Sequence, residues 1–164
     1  MSKYTLPLFG ELDLDSLEDY YEAEFEYEDR TFYVNLNFDE EKLEENRLHF
    51  AMHFLQNLPS NVTQTDNAVW DDFKSGGTAK DYIDHHLEVI PQDELDEILK
   101  HTDKNQSEEI QLFSILQLYR IGIYPENGDN YIVMDYNIGV GVTDYVVVVN
   151  INEKGQIKSI EMES

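Results

Sequence analysis

Histidines and carboxylates offer this sequence its most direct routes to catalysis or metal binding, because cysteine is absent. His49 and His53 stand four residues apart, with Glu45 one turn earlier. On a helix that spacing aims two imidazoles at one metal ion, as in zinc-binding helices. The local sequence is Arg47-Leu48-His49-Phe50-Ala51-Met52-His53, and Phe50 stands where a zinc hydrolase carries its general-base glutamate. A metal-dependent hydrolase using these helix histidines is therefore the second functional reading, and a solvated helix face is the plainer one. His85 and His86 lie in Asp81-Tyr82-Ile83-Asp84-His85-His86-Leu87-Glu88. His86 falls on an apolar face, as a hydrogen-bonded core histidine does. His85 points outward within reach of Asp81 and Glu88, which suits a surface ion pair.

The acidic clusters invite a calcium reading, which their details oppose. Asp13-Leu14-Asp15-Ser16-Leu17-Glu18 and Asp103-Lys104-Asn105-Gln106-Ser107-Glu108 both open like a calcium loop. Each has glutamate at the sixth position, where the loop needs glycine for its sharp turn. The first window reaches Glu24 at its twelfth position but runs into a strand pattern, and the second ends on Ser114. No nucleophile elbow or phosphate-binding loop is present, and Gly139-Val140-Gly141 lacks the later glycine of a dinucleotide site. The expectation is a protein with no cofactor and no catalytic residues.

The elements that position these groups follow from hydrophobic period. Tyr21, Ala23, Phe25 and Tyr27 alternate with Glu22, Glu24 and Glu26, the pattern of a half-buried strand with one acidic face. Glu28-Asp29-Arg30 reads as a turn and Thr31 to Phe38 as the returning strand, with Phe32, Val34, Leu36 and Phe38 on one face. At Asp39, a good N-cap, the period changes. Leu43, Phe50, Phe54 and Leu58 predict a helix that Pro59 stops, followed by a polar loop over 60–65. A second helix from about Asp66 buries Val69, Trp70 and Phe73 and ends at Gly76-Gly77. A third starts at Thr78, and a fourth follows Pro91 with Leu95, Ile98 and Leu99 as its stripe. From residue 110 the chain reads as strands, although the stretch behind Ser107 could start as helix. The predicted order is an N-terminal β-hairpin, three to four central helices and C-terminal antiparallel strands, forming one mixed or antiparallel sheet. Segregated strands and helices define the α+β class, and the absence of a linker makes 1–164 a single domain.

Charge sets the range of partners. The chain has 35 acidic and 11 basic residues, a net charge of -24, and residues 1–46 carry half of that excess. Such a surface repels nucleic acid and anionic lipid and attracts basic proteins. Aromatics at 12% interleave with the acids, which marks a folded chain. No apolar run approaches the length of a membrane span, and no secretion signal is apparent, so the expected location is cytoplasmic.

Three phrases carry a resemblance. Leu8-Phe9-Gly10-Glu11-Leu12, Tyr82-Ile83 followed by His86-Leu87-Glu88, and Arg120-Ile121-Gly122-Ile123-Tyr124-Pro125 resemble a bacterial domain family of unknown function, the one numbered two thousand and four. The resemblance spans most of the chain. It implies a small cytoplasmic bacterial α+β protein and supplies no catalytic residues. By analogy, small acidic bacterial proteins of this kind serve as immunity partners of basic toxins. The leading expectation is a non-catalytic binding protein of that type, engaging a basic protein through Glu22, Glu24, Glu26, Glu40, Glu41, Glu44 and Glu45. Acids that only keep the protein soluble are the competing reading. A nucleic-acid mimic is the third, and it requires carboxylates in rows spaced like phosphates, about 3.4 Å apart along a strand.

Overall fold

The computed structural model describes residues 2–164. Its centre is a six-stranded sheet of β3 (Tyr20–Tyr27), β4 (Arg30–Asn37), β5 (Gln117–Ile123), β6 (Ile132–Asn137), β7 (Val146–Ile151) and β8 (Ile157–Glu163), in that spatial order. Only β4 and β5 pair in parallel, with Val34 opposite Ile121; the other pairs are antiparallel. The sheet is therefore mixed. A crossover from β4 to β5 carries a 3-10 turn (Glu45–Leu48) and five helices, one more than the upper expectation. These are α1 (His49–Gln56), α2 (Leu58–Lys74), α3 (Thr78–Val89), α4 (Gln92–Ile98) and α5 (Glu108–Ser114). A separate hairpin, β1 (Lys3–Leu6) and β2 (Gly10–Asp13), seats Tyr4 beside His49 and buries Leu6, Leu12 and Leu14. Among the described residues no helix is long and apolar enough to cross a membrane.

The expected hairpin is present, but its turn is one residue shorter than expected, because Arg30 belongs to the returning strand. Tyr27 pairs with Arg30 across Glu28 and Asp29, whose φ angles of 49° and 63° define the left-handed two-residue turn that matches strand twist. The first helix differs from its expectation. Asp39 caps nothing, because residues 38–44 are tied to the N-terminal segment by Leu17 N–H to Glu41 O and Leu43 N–H to Leu14 O. The helix begins only after the 3-10 turn. There the Tyr131 hydroxyl accepts from the Ala51 amide and donates to the Arg47 carbonyl, replacing the direct bond between them.

The expected loop over 60–65 is helix. Pro59 falls in the first turn of α2, where its missing N–H has no intrahelical partner to lose. Leu58, Val62, Thr65, Val69 and Phe73 form one buried stripe, with the Thr65 hydroxyl bonded back to the Asn61 carbonyl. Asp72, near the end of α2, accepts from the Ala79 amide at 2.7 Å and caps α3. Behind Ser107 the helical alternative holds, and its hydroxyl accepts from Ile110 N–H.

One sheet face builds the core from Phe32, Val34, Leu36, Ile121, Ile123, Ile132, Met134 and Tyr136. Helices meet this face. Asp66 on α2 accepts from the Tyr136 hydroxyl at 2.8 Å and from Arg30 at 3.2 Å, and burial pushes the Tyr136 hydroxyl well above its ordinary pKa. Trp70, Phe73 and Phe113 stack together where α2 meets α5.

Candidate functional site

The opposite, outer face of the sheet is polar. Alternation along each strand fixes its members: Tyr20, Glu22, Glu24 and Glu26 on β3, Tyr33, Asn35 and Asn37 on β4, Arg120 and Gly122 on β5, and Asp135 on β6. Arg120 sits between Asn35 and Asp135 because the parallel β4–β5 pairing brings residues 85 apart in sequence side by side. Its guanidinium donates to Asp135 at 2.8 Å and to the Tyr124 hydroxyl at 2.8 Å, and it touches Asn35 Oδ1 at 3.5 Å. The Asn37 amide donates to the same Asn35 oxygen at 2.7 Å. Gly122 makes this possible, since a Cβ there would lie 2.8 Å from the Arg120 guanidinium and 2.9 Å from the Tyr124 ring.

Burial sets the electrostatics of the cluster. It raises the Asp135 carboxyl above its ordinary range, and the Arg120 charge opposes that rise. Burial alone would lower Arg120, but the Tyr124 hydroxyl and Asp135 outweigh it, so the guanidinium keeps its proton more firmly than usual. The cluster is a fixed, internally compensated ion pair within an acidic surface.

Around it the face is open and acidic. Tyr20 and Tyr33 are 49% and 44% exposed, large for aromatic side chains on a folded domain. The Tyr20 hydroxyl donates to Glu22, and that bond raises its pKa. Glu22, Glu24 and Glu26 form an exposed row. Where β4 and β5 end, a cleft of about 620 Å³ is lined by Asp19, Asp39, Glu126, Asp129, Asn37 and Tyr124, among others. Glu126 accepts from the backbone amides of Asp39 at 2.6 Å and Glu40 at 3.1 Å, which holds the rim together.

The seven glutamates expected to bind a partner are all exposed. The structure brings Glu22, Glu24 and Glu26 into line and sets Glu40 and Glu41 in the segment that Glu126 anchors. Glu44 and Glu45 stand at the 3-10 turn, where Glu45 lies close enough to Tyr4 to add to the rise that burial gives its pKa. Sequence reasoning missed Arg120, Asp135, Asn35 and Tyr124. The signal available was polar residues inside apolar strand patterns, which separate strands bring together only through the sheet.

The histidines occupy other places. His49 packs on Tyr4 and His53 lines a shallow cleft with Phe50 and Gln64, and both are exposed. Among the described residues no group of three or more histidine or carboxylate side chains is arranged to hold a metal ion. His86 is buried as expected, with Nδ1 2.7 Å from the Tyr82 carbonyl and Nε2 2.9 Å from the Thr143 hydroxyl. Burial, with a smaller push from His85, lowers its pKa against the opposing bond to Tyr82. Neutral His86 therefore donates from Nδ1 and accepts at Nε2, fastening α3 to the loop between β6 and β7. His85 packs edge-on to Tyr145 at 5.2 Å in place of the expected ion pairs with Asp81 and Glu88.

Fold and site together define a small α+β module: one helix-covered sheet face, and one polar face with an acidic edge. Comparison with known proteins adds no name to that class, since no family model, curated protein or solved structure matches the chain.

Proposed function

We propose that this is a non-catalytic binding protein of the immunity type, whose acidic outer face captures a basic protein. The observation that carries this reading is the juxtaposition of the exposed Glu22-Glu24-Glu26 row with exposed Tyr20 and Tyr33. Tyrosines supply contact area at low entropic cost, and a charged surround steers and selects an oppositely charged partner. The acidic cleft beside Tyr124 extends the same field and suits a lysine or arginine side chain. On this reading the protein works in the bacterial cytoplasm, belongs with the family its phrases resemble, and needs no cofactor.

A photocrosslinking residue in place of Tyr33 tests this, with one in place of exposed Asp71 on α2 as control. The Tyr33 position should capture a basic protein, with a yield that falls as salt rises and that the substitutions E22K, E24K and E26K abolish. Equal capture at both positions, or capture indifferent to salt, refutes the reading.

A further inference from the structure

The outer face ends at β3, and the backbone of that strand is half unused. In a two-residue hairpin the closing pair exchanges both hydrogen bonds, and bonded and non-bonded pairs then alternate. The closing pair here is Tyr27 and Arg30. Tyr27, Phe25, Ala23 and Tyr21 therefore direct their N–H and C=O groups to β4, while those of Glu26, Glu24 and Glu22 point away from it. β3 pairs with no other strand, and among the described residues no further backbone bond reaches these three glutamates. On the core face of the same strand Tyr21, Ala23, Phe25 and Tyr27 are only half-buried. The edge thus offers eight regular residues, four outward donor–acceptor pairs counting Tyr20, a row of carboxylates on one side and an incompletely covered apolar row on the other.

We infer that the basic partner docks by strand addition, laying an extended segment antiparallel along β3. This rests on the reading of the protein as a binder of basic partners and states how such a partner is held. Hydrogen-bonded pairs place Cα atoms about 5.5 Å apart, with both side chains on one face. Residues of the incoming strand opposite Glu22, Glu24 and Glu26 therefore face those carboxylates directly, and they are lysine or arginine. The residues between them cover Phe25 and its neighbours, and they are apolar. A second copy of this chain is the wrong occupant, because antiparallel self-pairing sets glutamate against glutamate.

The test uses a capped peptide of alternating lysine and valine, and the same peptide N-methylated at its lysines, whose amides face β3. Titration into isotope-labelled protein is followed by amide NMR and hydrogen exchange. The parent peptide should bind, slow exchange at the Glu22, Glu24 and Glu26 amides about tenfold or more, and bind at least about tenfold tighter than the methylated one. Glu24→Pro removes an outward N–H without touching the β4 ladder, so it should weaken binding more than Glu24→Gln while leaving the fold intact. Equal affinity for both peptides, or unchanged exchange at the three glutamates, overturns strand addition even if binding is salt-sensitive. Failure of both peptides with a basic protein still crosslinked at Tyr33 overturns it and leaves the parent reading standing; failure of both experiments removes both.

Discussion

Replacing Arg120 with methionine isolates the cation at the centre of the outer face. Methionine retains much of the packing of the stem but strands the Asp135 carboxylate, which is 12% exposed and holds the guanidinium at 2.8 Å. Removing one partner of a fully buried pair costs about 3–5 kcal/mol, because a charge is left without compensation. Arg120 is 27% exposed, so water reaches the vacated position and the expected loss is nearer 2 kcal/mol. With a urea dependence of about 2 kcal/mol per molar, the unfolding midpoint falls by about 1 M. The sign of the pH dependence is also fixed. Burial already raises the Asp135 pKa above its unfolded value, and loss of Arg120 raises it further. A carboxyl raised in the folded state favours folding at low pH and loses that contribution as pH rises through the folded value. The deficit of Arg120→Met should therefore be largest near about pH 8 and shrink toward about pH 5.5, still above the isoelectric point of 4.2. Adding Asp135→Asn to Arg120→Met should recover most of the loss. A deficit below about 0.5 kcal/mol at the higher pH, or one that grows on acidification, would refute the account of the cluster.

His86, held neutral with a lowered pKa, contributes stability that is fully present above its unfolded value of about 6.5 and is lost as pH falls from there through its lowered folded value; His86→Gln should flatten the fall in midpoint on acidification below about pH 6.5, read by urea unfolding. Tyr131→Phe removes the hydroxyl between Arg47 and Ala51 and should lower stability by about 1–2 kcal/mol, checked by thermal unfolding. Replacing Glu28 and Asp29 with Asn-Gly relieves two left-handed side-chain-bearing residues and should raise stability by about 1 kcal/mol, with the β3–β4 amide pattern unchanged by NMR.

What the sequence disclosed depended on how far apart the partners lie. The β3–β4 hairpin was legible in its strands and faces, because its period-two pattern has a charged face, while its turn proved one residue tighter than the three-residue reading. The helices α3 and α4 were legible from Gly77, Pro91 and their stripes. The start of α2 was hidden by a polar stretch with Pro59, although Val62 and Thr65 continue the stripe of Val69 and Phe73. The β1–β2 hairpin escaped notice because its strands have four residues each and give period two nothing to repeat over. The Arg120 cluster was invisible for a different reason. Its geometry exists only once residues 33–36 lie beside 120–123, and no local pattern announces that pairing. The acidic row was seen as charge; its place on the unpaired edge of the sheet needed the strand order.

That strand order has a consequence for the newborn chain. Apart from β4 with β5, every strand pairs with its sequence neighbour across a turn, so the β3–β4 hairpin and the β5–β8 meander are local units. β4 meets β5 only after residues 38–116 have folded back, and that closure costs entropy before any contact across it is made. During synthesis the hairpin therefore leaves the ribosome with two bare flanks. Glutamates guard the β3 flank. Nothing comparable guards β4, whose Val34 and Leu36 lack their β5 neighbours Ile121 and Ile123 until those residues emerge. A chain cut short within the crossover retains that unprotected strand, and such a truncation product is prone to aggregate despite its acidity.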